Sequence, residues 1–563
     1  MPQQDVLIIG AGLAGQRAAL AAAQSGVSVA IMSKVHPVRS HSVAAAGGIN
    51  AAISVSDDWR SHAYDTVKGS DYLGDQDAIE VMCREAPAEV MHLEHIGVTF
   101  HRNEAGELDL RAFGGASINR TAYVADITGQ AILHVLYEQL MRYAASIVRY
   151  EEWFVTSLVM EGARCTGVVA RNIKTGEMET FAAKSVILAS GGAGQCFKPT
   201  TNALICTADG MAQALRAGAP LMDMEMIQYH PTTLIENGFL ITEGARGEGA
   251  HLLNKDGERF MSKAAPNKME LASRDVVSRA EQTEIDEGRG VGPDGQGVYL
   301  DITVVPRKRT LEALREIVNI GRDFAGVDIT REPIIIRPGQ HYIMGGVKTD
   351  IDGRTPIDGL YAAGEVACVS VHGGNRLGAN SLLDTLIFGR RAGEDAAERA
   401  RETPMPELSG VHLREDTKMI EEIIGRPRKG RRISHLKDEL GTTMNRHCAV
   451  YRDEAGLQTA YETVKRLQEE AKSAYIDDRG TVFNQDVLGA IELGYMLDTA
   501  ETIVLCAIER KESRGAQFRT DYPERNDAAW LKHIDVTLGE DRAPEISYSP
   551  VTITQWQPEV RKY

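Results

Sequence analysis

The N-terminal stretch constrains this chain more than any other. Val6-Leu7-Ile8-Ile9 is an apolar run of strand length, and Gly10-Ala11-Gly12-Leu13-Ala14-Gly15 follows it without a break. Gln16 to Ser25 reads as an Ala-rich helix that Gly26 ends, and Ser28 to Met32 reads as a second buried strand. Strand, G-x-G-x-x-G, helix and strand in that order are the context that turns a common glycine pattern into a dinucleotide-binding fingerprint. Gly10 allows the tight turn. Gly12 leaves bare backbone, so that a pyrophosphate can lie against the helix N-terminus, where unpaired N–H groups and the helix dipole favour negative charge. Gly15 lets helix and strand pack closely. The acid that usually closes such a site at the end of the second strand is missing, and Ser33-Lys34 stands there instead. Ser33 still offers a hydroxyl to a ribose.

Composition narrows the partners. The formal charge is −17, from 62 basic and 79 acidic residues in 563. That balance opposes direct binding to nucleic acid or to an anionic membrane surface, so an anionic substrate needs a local basic site. The length suits about two to four domains. The 7 cysteines are scattered without a C-x-x-C pair, the pattern of reduced thiols in a cytosolic-type compartment rather than of an iron–sulfur or zinc site. No metal site is expected. No signal peptide precedes the first strand, and no apolar run approaches the roughly 20 residues of a membrane helix.

Beyond the fingerprint comes Val35-His36-Pro37-Val38-Arg39-Ser40-His41-Ser42-Val43, then the pair Gly47-Gly48. This run resembles the flavoprotein subunits of succinate dehydrogenase and fumarate reductase. Tyr64 to Asp75, Ser513-Arg514-Gly515-Ala516 and Asp521 to Asp527 resemble the same family, which covers roughly residues 5 to 535. The resemblance implies FAD, bonded covalently through His41 by attack of the neutral imidazole on the flavin 8α-methyl group. Such a bond would raise the flavin potential, as oxidation of a saturated C–C bond requires. The chain departs from the family twice. Ala46 stands where Gln or Glu usually precedes the two glycines, and Gln517 stands where His is usual.

Two later segments complete the cofactor reading. Ser185 to Gly194 is an apolar strand ending in glycines, followed by Asp209-Gly210 and a helix to Ala217. Gly359 to Glu365 is another strand–glycine pair, followed by Asn380-Ser381-Leu382-Leu383 opening a helix. An acid in such a place commonly holds ribityl or ribose hydroxyls, which selects Glu365. Backbone N–H groups of Ser381 to Leu383 can face the pyrimidine edge of a flavin. The full set implied for the cofactor is Gly10, Gly12, Ala14, Gly15, Ser33, Lys34, His41, Ser42, Gly47, Gly48, Gly191, Asp209, Glu365, Asn380, Ser381, Leu382 and Leu383.

Segments so widely spaced imply an α/β FAD-binding, Rossmann-like domain of the glutathione-reductase type, interrupted by an α+β capping domain. The FAD domain is assigned to residues 1–232 and 342–405, the cap to 233–341, a helical domain to 406–520 and a C-terminal segment to 521–563. Helices are predicted over Gln76 to His95, Thr128 to Ala145, Ile433 to Glu439, Arg452 to Ala474 and Gly489 to Lys511, with short strands over 147–171 and a strand-like tail.

Five motifs surround the insertion: Gln228 to Thr232, Thr242 to Gly249, Ser273-Arg274-Asp275, His341 to Gly346 and Asn375 to Gly378. A four-carbon dicarboxylate needs two anion sites at a fixed separation. The resemblance implies that His230, Thr242, His341 and Arg376 hold the carboxylates and that Phe113 packs on the hydrocarbon. It also makes Arg274 the proton-transfer residue, with Glu243 and Arg246 as its relay. A free guanidinium has a pKa above about 12, so that role requires a buried site that disfavours further positive charge. The implied partners are an iron–sulfur subunit and membrane anchor subunits with a quinone, which would hold this chain peripherally on the cytoplasmic side of the cell membrane. L-aspartate oxidase and a soluble fumarate reductase share most of these motifs. His41 weighs against the first, whose FAD is not covalent. A non-catalytic flavin scaffold would have lost the arginines and histidines that are present here.

Overall fold

In the computed structural model, which describes residues 1–561, the first strand (Gln3–Ile9) lies at the centre of a seven-stranded sheet. The last two residues of the C-terminal segment, 562 and 563, lie outside the description. The first strand pairs in parallel with Val29–Ser33 on one side and with Met178–Leu188 on the other, and Val29–Ser33 pairs in parallel with Ile147–Glu151. Leu360–Ala362 joins the same sheet in parallel through Met178–Leu188. Trp153–Glu161 and Arg164–Asn172 extend it as an antiparallel hairpin. Val6, Leu7 and Ile8 are buried, as a strand covered on both faces requires. The predicted fold class therefore holds.

The helix Leu13–Gln24 begins three residues earlier than its Ala-rich run suggested, because Leu13 to Gly15 already take helical geometry after the Gly12 cap. Against it packs the long helix Asn380–Glu402. The contact is close: a Cβ on Gly389 or Gly393 would come within 2.6 Å of the Ala14 or 2.3 Å of the Ala18 backbone oxygen. This approach sets the start of the second helix beside the start of the first, so two segments about 370 positions apart in sequence serve one site.

Residues 234–336 carry a core of their own, from Leu234 and Ile241 to Ile334 and Ile336. It is built on a four-stranded antiparallel sheet whose strands include Ile227–Leu234 and Ile334–Ile343. Both strands run from the edge of this region back toward the FAD domain.

Four helices follow: Val411–Gly425, Ile433–His447, Glu454–Ala471 and Gln485–Glu509. The first of them was not anticipated. Ile433–His447 runs beyond its predicted end through the weak formers Gly441, Thr442 and Thr443, because Gly441 meets the Phe197–Lys198 backbone, where a larger side chain would crowd. Asp453 and Asn484 cap the last two helices by accepting backbone N–H groups of Gly456 and Val487. Thr128–Arg142 ends three residues short of its predicted limit. Gln76–Ile96 and Asp209–Arg216 match their predicted spans to within one residue.

The C-terminal strands complete a second sheet: Lys532–Leu538 pairs antiparallel with Leu221–Met222, and Pro544–Pro550 pairs with Lys532–Leu538 at the edge. His533 ties this sheet to the first half of the chain. Its Nδ1 lies 2.6 Å from an Asp223 carboxylate oxygen and its Nε2 lies 3.3 Å from Asp75. Gln517 is buried and explains itself locally: its carbonyl oxygen accepts from Arg452 and its amide donates to the Ala507 carbonyl.

Burial opposes the charge on His533, but the Asp223 and Asp75 carboxylates outweigh it and raise the imidazole from 6.5 to about 10. A raised folded-state pKa stabilises fully below the unfolded value and is lost as pH climbs through the folded one. Thermal unfolding of the wild type should thus lose stability between pH 7 and about pH 10 at this site. His533→Gln should be less stable at pH 7 and should show a shallower decline over that window. Parallel melting curves across the range check it.

Candidate active site

One continuous cavity runs from the Gly10–Ala14 turn to Arg376. At its first end, Gly10 has a φ of +108°, and a Cβ there would lie 2.1 Å from the Ala189 carbonyl oxygen. Only glycine permits this turn. It leaves the N-terminus of Leu13–Gln24 open to the cavity, with Ser33, Lys34, Ser40, Ser42 and Gly191 around it. The buried Ser40 hydroxyl has no hydrogen-bond partner. A helix N-terminus facing the cavity, bare glycine backbone and the unpartnered Ser40 hydroxyl fit the pyrophosphate and ribose of an FAD. Lys34 is less free than its position suggested. Its ammonium donates to Asp209 at 2.7 Å and to Glu492 at 2.9 Å, so these charges are largely spent on each other.

His41 lines the same cavity. Its Nδ1 accepts the Ala203 backbone N–H at 3.3 Å, and burial pulls its pKa down to about 4. The imidazole is therefore neutral at physiological pH, with Nε2 clear of that bond. Glu365 also lines the cavity. It accepts the Ile343 backbone N–H at 3.1 Å, and burial lifts its carboxyl to about 7. Ser381 and Leu382 line the wall, as do Gly47 and Gly48. Asn380 and Leu383 do not. The Asn380 side chain is engaged with Asn50, His62 and Thr66, and Leu383 is buried in the core. Gly15 packs against the Gly10 backbone, in the role its motif gave it.

At the far end stand Phe113, His230, Thr242, Glu243, Arg274, His341 and Arg376. The antiparallel pairing of Ile227–Leu234 with Ile334–Ile343, offset by an irregularity beside His230, brings the two imidazoles to a ring separation of 4.9 Å. His230 Nδ1 accepts the Thr232 backbone N–H at 3.2 Å, while the Thr232 hydroxyl donates to the Ile241 carbonyl. Burial, then the Arg274 charge, holds His230 neutral, and its single proton consequently sits on Nε2. His341 is kept neutral by the same two causes, and its Nδ1 lies 2.8 Å from the Thr201 hydroxyl.

Arg274 opens the helix Arg274–Asp286. Its Nε donates to Glu243 at 2.7 Å and its Nη1 to the Gln228 side-chain oxygen at 3.0 Å. The other end of Gln228 donates to the Arg376 carbonyl at 2.8 Å. Gln228 thereby fixes the two arginines relative to each other, a role not foreseen although the residue lies in a quoted motif. Burial drives the Glu243 carboxyl up, but Arg274, Arg246 and the Gly114 N–H more than offset it and hold it ionised. Arg246 stands behind Glu243, at 3.6 Å, outside the cavity lining.

Arg376 is different. It is buried and, among the described residues, forms no ion pair. Its guanidinium lies 4.6 Å from the centre of the Tyr342 ring, its Nε has no partner, and burial pulls its pKa down to about 9. Tyr342 was likewise not anticipated. Around this end Arg274 and Arg246 share the Glu243 carboxylate, while Arg376 has no ion pair among the described residues, so the cluster carries net positive charge that suits an anion. Ala46 lines the cavity with only a methyl group, and its carbonyl, with that of Gly47, accepts from Arg111. Arg111 was not foreseen either.

The FAD binding domain family model matches residues 5–382, and the model for the fumarate reductase flavoprotein C-terminus matches residues 437–563. The succinate dehydrogenase flavoprotein subunit of Rickettsia bellii is 44% identical, over 99% of this chain and 96% of its own length. The fumarate reductase flavoprotein subunit of Mycobacterium tuberculosis is 44% identical, over 100% and 99%. A solved FrdA of E. coli quinol fumarate reductase superposes with a TM-score of 0.96 at 38% identity, covering 100% of this chain and 99% of that one. The chain belongs to the family of FAD-containing flavoprotein subunits of succinate dehydrogenase and fumarate reductase.

Proposed function

We propose that this cavity interconverts succinate and fumarate, with the roles distributed as follows. The observation that carries the reading is Arg376: a buried guanidinium with no ion-pair partner among the described residues, in the same cavity as the N-terminus of Leu13–Gln24. A carboxylate bound there removes the cost of the lone charge. Arg376 binds one carboxylate, and its planar fork suits a bidentate grip. His230, through Nε2–H, together with Thr242 and His341, binds the other. Phe113, against which Gly47 and Gly378 pack, covers the hydrocarbon between them. FAD, held by the Gly10–Gly15 turn, Ser33, Ser42 and Glu365 and bonded through His41, supplies the two-electron acceptor for the C–H bond that is broken.

Arg274 moves the proton on the neighbouring carbon. During oxidation it takes that proton, and during reduction it returns it. Glu243, whose carboxylate accepts from Arg274 Nε at 2.7 Å, gives that proton a place to go and to return from. Arg246 passes it onward. The neutral state of His41 suits it to attack carbon rather than to hold a proton.

Electrons leave to an iron–sulfur subunit, and anchor subunits with a quinone hold the assembly at the cytoplasmic side of the membrane. The relatives named above support this, since each is called a flavoprotein subunit or comes from a quinol fumarate reductase. Among the described residues no helix is long and apolar enough to cross a membrane.

Arg274→Gln should keep its flavin and its affinity for dicarboxylates while losing turnover by at least about 100-fold, the scale of a lost general acid–base group. Succinate oxidation at the wild-type rate would refute the proton role. His41→Ala should bind flavin that is released by acid denaturation. The wild type should instead run as a fluorescent band of about 61 kDa on a denaturing gel. A dark wild-type band with flavin in the supernatant would remove the covalent link.

A further inference from the structure

Arg376 has no ion pair among the described residues, so its side chain takes its direction from its own backbone. Nη1 donates to the adjacent Leu377 carbonyl at 3.4 Å, and the Tyr342 ring lies beside the guanidinium. Whatever fixes that backbone therefore fixes the anion site. The segment from Arg376 to Ser381 crosses an unfavourable turn. Ala379 has a φ of +64°, which a residue with a side chain holds only where its surroundings compel it. The next residue opens the helix Asn380–Glu402, whose Ser381 and Leu382 line the cavity together with Arg376 and Ala379.

Two asparagines compel the turn. Asn50 ends the short strand Ile49–Asn50, just after the cavity-lining Gly47 and Gly48. Its Nδ2 donates to the Gly378 carbonyl and to Asn380 Oδ1, each at 2.8 Å, and its backbone N–H reaches the Ala379 carbonyl at 3.4 Å. Its Oδ1 accepts from the Thr121 hydroxyl at 2.6 Å, across the paired strands. Asn380 Oδ1 also accepts from His62 Nε2 at 3.0 Å, and its Nδ2 donates to the Thr66 hydroxyl at 3.0 Å. Both asparagines are fully buried, and each oxygen and nitrogen of their side-chain amides has a partner. A buried polar network satisfied in this way holds one geometry. Neither residue lines the cavity.

We propose that Asn50 and Asn380 form a clasp that holds the Ala379 turn, and through it sets Arg376 and the helix N-terminus in place across the cavity from Gly47 and Gly48; this rests on the FAD and dicarboxylate reading above. Without the clasp the strained turn relaxes out of the left-handed region. Arg376 and the first N–H groups of the helix then shift together, and the anion site loses its alignment with the cofactor end of the cavity. Both asparagines act through this segment and are positioning residues.

The test uses the full chain purified with its flavin, with malonate binding followed by flavin absorbance. Asn50→Ala should keep its flavin and bind malonate about tenfold more weakly, the order of one lost buried hydrogen bond. Its flavin midpoint potential should become more negative, because a displaced helix N-terminus stabilises the reduced, anionic ring less. Adding Ala379→Gly should restore part of the affinity and of the potential, since glycine holds a positive φ without strain. A packing defect at residue 50 would not respond to that change. Wild-type affinity and potential in Asn50→Ala would overturn the proposal, and so would a loss that Ala379→Gly leaves untouched. If Asn50→Ala does not fold, Asn380→Ala decides by the same titration. A loss that Ala379→Gly relieves supports the clasp, and wild-type affinity or an unrelieved loss overturns it. The wild type separates the two claims. If it binds no malonate, the underlying dicarboxylate reading fails. If it binds malonate and the asparagine variants bind it equally well, only the clasp fails.

Discussion

The structure depends on an imbalance of charge among buried side chains. Arg376 is buried with the Tyr342 ring beneath it and, among the described residues, no ion pair. A lone buried charge is costly, and the folded state tolerates it only where something else returns the cost. The neighbouring arginines do not help it, since Arg274 and Arg246 share Glu243 between them. The remaining positive charge is therefore an unfilled requirement for an anion, and much of the surrounding architecture keeps it unfilled by protein. Gln228 holds Arg274 and the Arg376 backbone apart by bonding to both, and it contributes no charge of its own. Both histidines are forced to be neutral donors, so neither competes with the guanidinium for the dianion.

The same constraint explains the order of the fold. The turn at Gly10 and the start of the helix Asn380–Glu402 form one end of the cavity, and the antiparallel strands of the inserted region deliver the other. Neither part holds all the chemistry. Arg376 and Phe113 come from outside the region 234–336 that has its own core, while that region and its flanking strands supply His230, Thr242, Glu243, Arg274 and His341. A substrate bound between them is enclosed by groups whose electrostatic effect is large because solvent is excluded.

Much of this was legible in the sequence, for physical reasons that differ from place to place. The Gly10–Gly15 turn was legible because only glycine satisfies its backbone and packing demands. The cavity-lining motifs were legible because long runs such as Gln228 to Thr232 and Thr242 to Gly249 carry several chemically unusual residues at once. Other features were not legible. Lys34 lines the cavity, but its partner Glu492 comes from more than four hundred residues away, and no local pattern reveals such a contact. Asn380 looked like a cavity residue, yet its side chain closes a buried polar cluster while only its neighbours Ser381 and Leu382 reach the wall. Gln228 and Tyr342 lay in plain view within quoted motifs, but their work is to place other residues. The helix Val411–Gly425 was missed, and Ile433–His447 was read short where the weak former Gly441 packs against Lys198.

The central claim is that the unpaired charge of Arg376 makes the dicarboxylate site. It is tested most directly by titrating flavin-loaded protein with malonate, a non-reacting dicarboxylate, and following the flavin absorbance. The account predicts saturable binding to the wild type. It predicts at least about a 100-fold loss of affinity in Arg376→Met with flavin content unchanged, as removal of a buried charge partner implies. Malonate binding of equal strength in the two proteins would contradict it.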